Sequence, residues 1–171
     1  MESKTEKLNR IAQDCIKDLD GIGIKTGRVL AFEVNTRAAS RWGQCKKTPN
    51  GYIININAVL LDDRNGDEGL INTLYHELLH TCAGCMDHGE KWKRYAAQVK
   101  ARLGYNIKRT SSADEKLSAE MQAEEARRSK KYIVKCEKCG SEWCRATFSK
   151  VIQSPELYRC GRCGGELKRI K

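Results

Sequence analysis

All three histidines of this chain fall inside HELLHTCAGCMDH, residues 76–88. His76 and His80 stand four residues apart, so on a helix their side chains project from one face, a turn apart, and can grip one ion. That requires helix through both positions. A third imidazole at His88 requires the chain to double back beyond the Ala83-Gly84 break. Histidine ligates metal through a neutral ring nitrogen at physiological pH, so bringing these three rings together is the strictest demand the sequence makes on its fold.

Glu77 follows His76 and is turned about 100° around the helix axis. It therefore flanks the ion instead of occupying a coordination place, where its carboxylate can take a proton from bound water. This is the HExxH arrangement of zinc peptidases. A catalytic zinc keeps three protein ligands and one open position. His88 is the preferred third ligand, because a new helix follows it and fixes its backbone; Glu90 is the other option. Peptide-bond hydrolysis is the natural reaction: zinc lowers the pKa of its water towards ~7 and polarises the carbonyl, while Glu77 serves as general base. The oxyanion donor is not readable, and Tyr95, seven residues after His88, is expected to pack rather than to act.

Around this centre the periodicity alternates between helix and strand. Leu8, Ile11, Cys15 and Leu19 recur at helical spacing until the Gly21 and Gly23 turn. Leu30, Phe32 and Val34 alternate as a half-buried strand, and Tyr52, Ile54 and Ile56 alternate against Asn55 and Asn57. Between them SRWGQCKKTPNG reads as a strand ending in a Pro-Asn-Gly turn, with Trp42 and Gly43 shaping the sheet beside the active helix and Arg41 either touching substrate or forming an ion pair. From Asp67 onward Ile71, Leu74, Tyr75, Leu78 and Cys82 share one broad helical face, which predicts a core helix ending by Gly84. A further helix from Gly89 to Leu103 is expected to bury Trp92, Ala96, Val99 and Leu103 and to stop at Gly104. Residues 106–130 carry too few apolar positions for a core face and read as a solvated helix or flexible linker, with Ser112 and Glu115 in a capping-box pattern.

Nine cysteines, an odd count, accompany a polar N-terminal MESKTEKLNR and no apolar run near 18 residues. Together these predict a reducing, cytoplasmic compartment without membrane attachment, where clustered cysteines bind metal; a monomer is expected, and nucleoid association stays open. CEKC and CGRC offer Cys136, Cys139, Cys160 and Cys163 as two knuckles of a structural four-cysteine zinc site with no open position. The pattern matches a zinc ribbon, with one strand through SEWCRATFSK and a return strand through ELYRC. A unit of roughly 40 residues seldom folds on burial alone, so the metal would serve as its staple. Cys82 and Cys85 form a third CxxC without a matching pair and read as helix-end packing; Cys45 reads as a buried small hydrophobe, and Cys144 has no partner.

Net charge is +10, and residues 131–171 carry 10 Lys and Arg against 4 Asp and Glu. Bound zinc would reduce that excess from about +6 to about +4. Tyr132, Trp143, Phe148 and Tyr158 intersperse with Lys135, Lys138, Arg145, Lys150, Arg159 and Arg162. Such a mixture can stack on bases and pair with phosphates, which makes DNA, single-stranded or duplex, the expected partner. Packing within a small ribbon is the plainer reading of the aromatics.

SRWGQC, IININAVL, HELLH and HGEKWK, taken together, resemble the SprT-like metallopeptidases, whose relatives include the Spartan proteases of DNA-protein crosslink repair. The resemblance runs from about residue 5 to 105 and extends to the cysteine module, which bacterial-type members often carry. It implies an α+β chain: a zincin-like domain over residues 1–105 with helices on a short, mainly antiparallel sheet, a linker over 106–130 and a four-cysteine zinc ribbon over 131–171. It implies catalytic zinc on His76, His80 and His88, catalytic Glu77, and a DNA-associated or crosslinked protein as substrate. The His80 to His88 spacing is shorter than in the eukaryotic relatives, and nothing resembles their ubiquitin-binding or sliding-clamp motifs. Two other readings stand beside this one: a non-catalytic nucleic-acid-binding zinc protein, and a peptidase without a nucleic-acid role.

Overall fold

Helix α1 (Lys4–Gly21) starts at Ser3, whose hydroxyl accepts the Glu6 N–H while the Glu6 carboxylate accepts the Ser3 N–H at 2.7 Å. This reciprocal box satisfies two donors that would otherwise be orphaned. The helix buries Leu8, Ile11, Cys15 and Leu19, the predicted stripe, together with Ala12. The computed structural model describes residues 2–37, 41–113, 115–129 and 131–171. Ser40, which opens the SRWGQC stretch, and Asp114 and Lys130 of the linker reading lie outside the described residues. Backbone contacts divide the chain into two units, Met1–Ser118 and Ala119–Lys171.

In the first unit β1 (Val29–Asn35), β2 (Gly43–Thr48) and β3 (Gly51–Asn57) form one sheet in the order β1-β3-β2. β2 and β3 pair antiparallel across the predicted Pro49-Asn50 turn, whereas β1 and β3 pair in parallel. β1 and β2 run in opposite directions at the two edges, so β3, folded back by the turn, fills the space between them and matches the direction of β1. Of the four strand pairings among the described residues this is the one that departs from antiparallel. A register shift between Val29 and Ala31 breaks the expected alternation and leaves Leu30 exposed.

α1 lies against β1, and α2 (Glu68–Thr81) lies against β2, β3 and α1. Leu70, Leu74, Tyr75, Leu78 and Leu79 are each at most 1% exposed, so α2 is the core helix its composition predicts. Truncating one such leucine to alanine costs about 2–5 kcal/mol. α2 ends at Thr81, earlier than Gly84, because the Thr81 hydroxyl turns back onto the Leu78 carbonyl and Cys82 is already extended. α3 (Glu90–Leu103) packs on α2, buries Trp92, Ala96 and Val99, and stops at Gly104, with Leu103 only half-buried.

Residues 106–118, expected as the start of a linker, belong to the first unit. Ile107, Lys116 and Leu117 are buried, and Asn65 grips the segment twice, donating to the Lys116 carbonyl at 2.9 Å and accepting the Ser118 N–H at 2.6 Å. Hydrophobic pattern missed this stretch because Ile107 and Leu117 are its only buried apolar residues among those described and polar contacts to Asn65 hold the rest.

The second unit contains α4 (Ala119–Ser129) and a separate sheet of β4 (Tyr132–Cys136), β5 (Glu142–Arg145) and β6 (Leu167–Arg169) in the order β5-β4-β6, all antiparallel. The predicted return strand through ELYRC is reduced to a single bridge, Arg159 with Glu166. A 3-10 turn at Pro155–Leu157, started by the fixed φ of the proline, takes up the first two residues of that stretch, and a helical turn, α5 (Lys150–Gln153), precedes it. Val134 and Ile152 form the small core beside Cys136 and Cys160. Among the described residues no helix is long and apolar enough to cross a membrane.

Candidate active site

One turn of α2 separates His76 from His80, and the loop after it brings His88 back against both. His76 Nε2 lies 3.2 Å from His80 Nε2 and 3.1 Å from His88 Nε2. The Nδ1 atom of His76 meets the Lys108 carbonyl at 2.9 Å, and that of His80 meets the Cys85 carbonyl at 2.8 Å. A carbonyl only accepts, so each Nδ1 carries the proton and each Nε2 is left with a bare lone pair. Convergent lone pairs repel unless a cation lies between them. Tetrahedral zinc with nitrogen ligands has edges of about 3.3 Å, so the arrangement fits that ion. Burial lowers the pKa of His76 to about 4 and also lowers that of His88, favouring the neutral rings that ligate.

The loop that returns His88 contains the third CxxC. Cys85 donates its N–H to the Cys82 carbonyl and offers its own carbonyl to His80, and both thiols are buried with pKa raised by desolvation. The pair therefore closes the helix end and orients His80. Trp92, predicted only as core, lies with its ring centroid 4.7–5.8 Å from all three imidazole centroids. Glu90, the alternative ligand, is exposed and pairs with Lys93 at 2.7 Å. Tyr95 sits between Lys91 and Arg94, which lie near its ring.

Glu77 is buried beside the cluster. Desolvation raises its pKa to about 7, while the Cys45 backbone N–H and the charge of Lys116 oppose that shift. The space it occupies exists because residue 43 of β2 is glycine: a Cβ there would stand 2.6 Å from Glu77 Oε1 and 2.9 Å from Thr73 Cγ2. Cys45 thus serves Glu77 through its backbone, and burial pushes its thiol up to about 12.

A cleft of about 240 Å³ opens onto His76 and Glu77, walled by Arg41, Trp42, Lys108, Arg109 and Lys116 among others. Arg41 forms no ion pair among the described residues. Trp42 Nε1 donates to the Ser111 carbonyl at 3.1 Å, tying residues 106–118 across the mouth. Lys116 is the residue here that sequence reasoning missed. No local spacing marks it, because the fold brings it to α2 from about forty residues away.

The four ribbon cysteines also converge, with Cys136 and Cys163 Sγ atoms 3.5 Å apart and those of Cys139 and Cys160 3.7 Å apart. Zinc with four bonds of about 2.3 Å has tetrahedral edges of about 3.8 Å. Each knuckle ends in a glycine at positive φ, Gly140 at 71° and Gly164 at 67°, which lets the chain turn back to its own first cysteine carbonyl. Both donor sets therefore fit zinc. Tyr132 packs on Phe148 with ring centroids 5.3 Å apart, and Arg169 covers Phe148.

The SprT-like family model matches residues 8–111, a span that contains every histidine and Glu77. No curated protein matches the chain.

Proposed function

This chain belongs to the SprT-like family, and from that premise we propose that it is a zinc-dependent endopeptidase acting on proteins associated with or crosslinked to DNA. The observation that carries the reading is a buried carboxylate, Glu77, beside three imidazole nitrogens whose lone pairs converge, two of them on rings whose other nitrogen is tied to a carbonyl. A purely structural metal has no use for such a neighbour. Zinc bound there would supply Lewis acidity, acidifying water and polarising a carbonyl.

The protein's own groups do the rest. Glu77, raised to about 7 by burial, is poised to take a proton from water near neutral pH and to return it to the leaving amine. The Lys108 and Cys85 carbonyls orient His76 and His80, and burial favours the neutral form of His76 and His88. Trp92 excludes water behind the rings.

The DNA part of the reading is supported by the ribbon, where Trp143, Arg145, Arg159 and Arg162 line a groove of about 740 Å³. Stacking on the indole and pairing of phosphates with guanidinium groups suit a single-stranded segment. The test is proteolysis of a DNA-binding protein, with and without DNA, by zinc-loaded enzyme, chelated enzyme and Glu77→Gln. DNA-stimulated cleavage by the zinc-loaded wild type alone supports the proposal. Cleavage indifferent to DNA leaves a peptidase without a nucleic-acid role, and no cleavage by any form leaves a zinc protein without catalysis.

A further inference from the structure

Lys116 is 9% exposed, and among the described residues its ammonium, which keeps some contact with solvent, has no hydrogen bond or ion pair. Burying a cation without a partner is costly. Desolvation accordingly lowers its pKa from 10.5 to about 8. Yet the local structure holds its backbone in place. Asn65 clamps its carbonyl, and α2 carries glycine at position 69 where any Cβ would overlap that carbonyl oxygen. Trp42 holds the same segment from the other side of the cleft through Ser111.

Lys116 lines the wall of the cleft that contains His76 and Glu77. Its charge is close enough to lower the pKa of both, although it forms no salt bridge with the carboxylate. Lys116, Glu77 and His76 thus line one cleft, and the lysine charge is felt by both of the others, so a scissile carbonyl entering there would meet all three.

We propose that Lys116 is a catalytic residue that stabilises the oxyanion formed during hydrolysis. The assignment rests on the peptidase reading above. Water oxygen bonds to the carbonyl carbon, the carbonyl π pair moves onto its oxygen, and Glu77 takes the water proton. The Lys116 ammonium donates a hydrogen bond to the new oxyanion without losing its proton. When the C–N bond breaks, the oxyanion pair re-forms the carbonyl and the proton on Glu77 goes to the departing amine. Donors aimed where charge develops commonly contribute about 10²–10³ in kcat.

The test uses full-length zinc-loaded protein and an internally quenched peptide pool, with Glu77→Gln as the zero. Lys116→Met should keep its zinc, lose about 100-fold or more in kcat with KM within about threefold, and lose affinity for a phosphinic pseudopeptide in proportion to kcat/KM. Lys116→Arg, which keeps a cation, should retain more activity than Lys116→Met. A kcat within about threefold of wild type overturns the proposal. So does a large kcat loss with unchanged phosphinate affinity, which would make Lys116 a positioning residue for Glu77. Should Lys116→Met fail to fold, acetic anhydride labelling of the wild type decides: saturating phosphinate should shield Lys116, and undiminished labelling overturns the role. If wild type cleaves no better than Glu77→Gln, the peptidase reading fails and this one falls with it.

Discussion

Two backbone carbonyls, Lys108 and Cys85, choose the tautomers of His76 and His80 and so decide that the Nε2 atoms converge as acceptors. The histidine cluster itself was legible, because HExxH spacing is local and helical geometry brings His76 and His80 together. The carbonyls and Lys116 were not, since they reach α2 through loop backbone and a fold-dependent approach that no residue pattern announces. Glu77→Gln should retain full zinc content while kcat falls by about 10²–10⁴, measured by metal analysis and peptide cleavage. Lys116→Met should raise stability at neutral pH by about 1–3 kcal/mol, read as the urea midpoint. The sign follows from a folded pKa of about 8 against 10.5: the native state holds its proton less tightly than the unfolded chain. The cost of burying the cation is therefore fully present below pH 8 and fades as pH rises towards 10.5, so the variant's advantage should shrink over that window.

At the level of elements, α2 and α3 followed their 3.6-residue periodicity, and the β2-β3 hairpin followed its turn. The parallel β1-β3 pairing and the 3-10 turn that takes up the start of the ribbon's return strand did not show in the sequence, because direction and pairing depend on which strand fills a gap. Residues 106–118 are held by Asn65 and Trp42 rather than by an apolar stripe, so their polarity read as linker. The β2-α2 contact is the element most exposed to a small change. Gly43→Ala would place a methyl group 2.6 Å from Glu77 Oε1. It should cost about 1–3 kcal/mol in urea unfolding and lower kcat/KM at least tenfold, with zinc content near normal.

For the whole molecule, two donor sets on two units predict two zincs per chain with separable tasks. Replacing Cys136 and Cys139 by serine should remove one zinc, leave cleavage of short peptides near wild type, and weaken salt-dependent DNA binding. Equal loss of peptide cleavage would show that the units do not divide the work. The cysteine count and spacing made the four-cysteine cluster readable, while the groove beside Trp143 needed the fold. The proposed hydrolysis depends on three imidazoles holding an ion that keeps one place free next to Glu77. Anomalous diffraction from zinc-loaded crystals at the zinc edge tests that directly. The predicted result is a peak about 2.0–2.1 Å from the Nε2 atoms of His76, His80 and His88 with water on the side of Glu77. A peak whose fourth ligand is a protein side chain, or no peak among these rings, would contradict it.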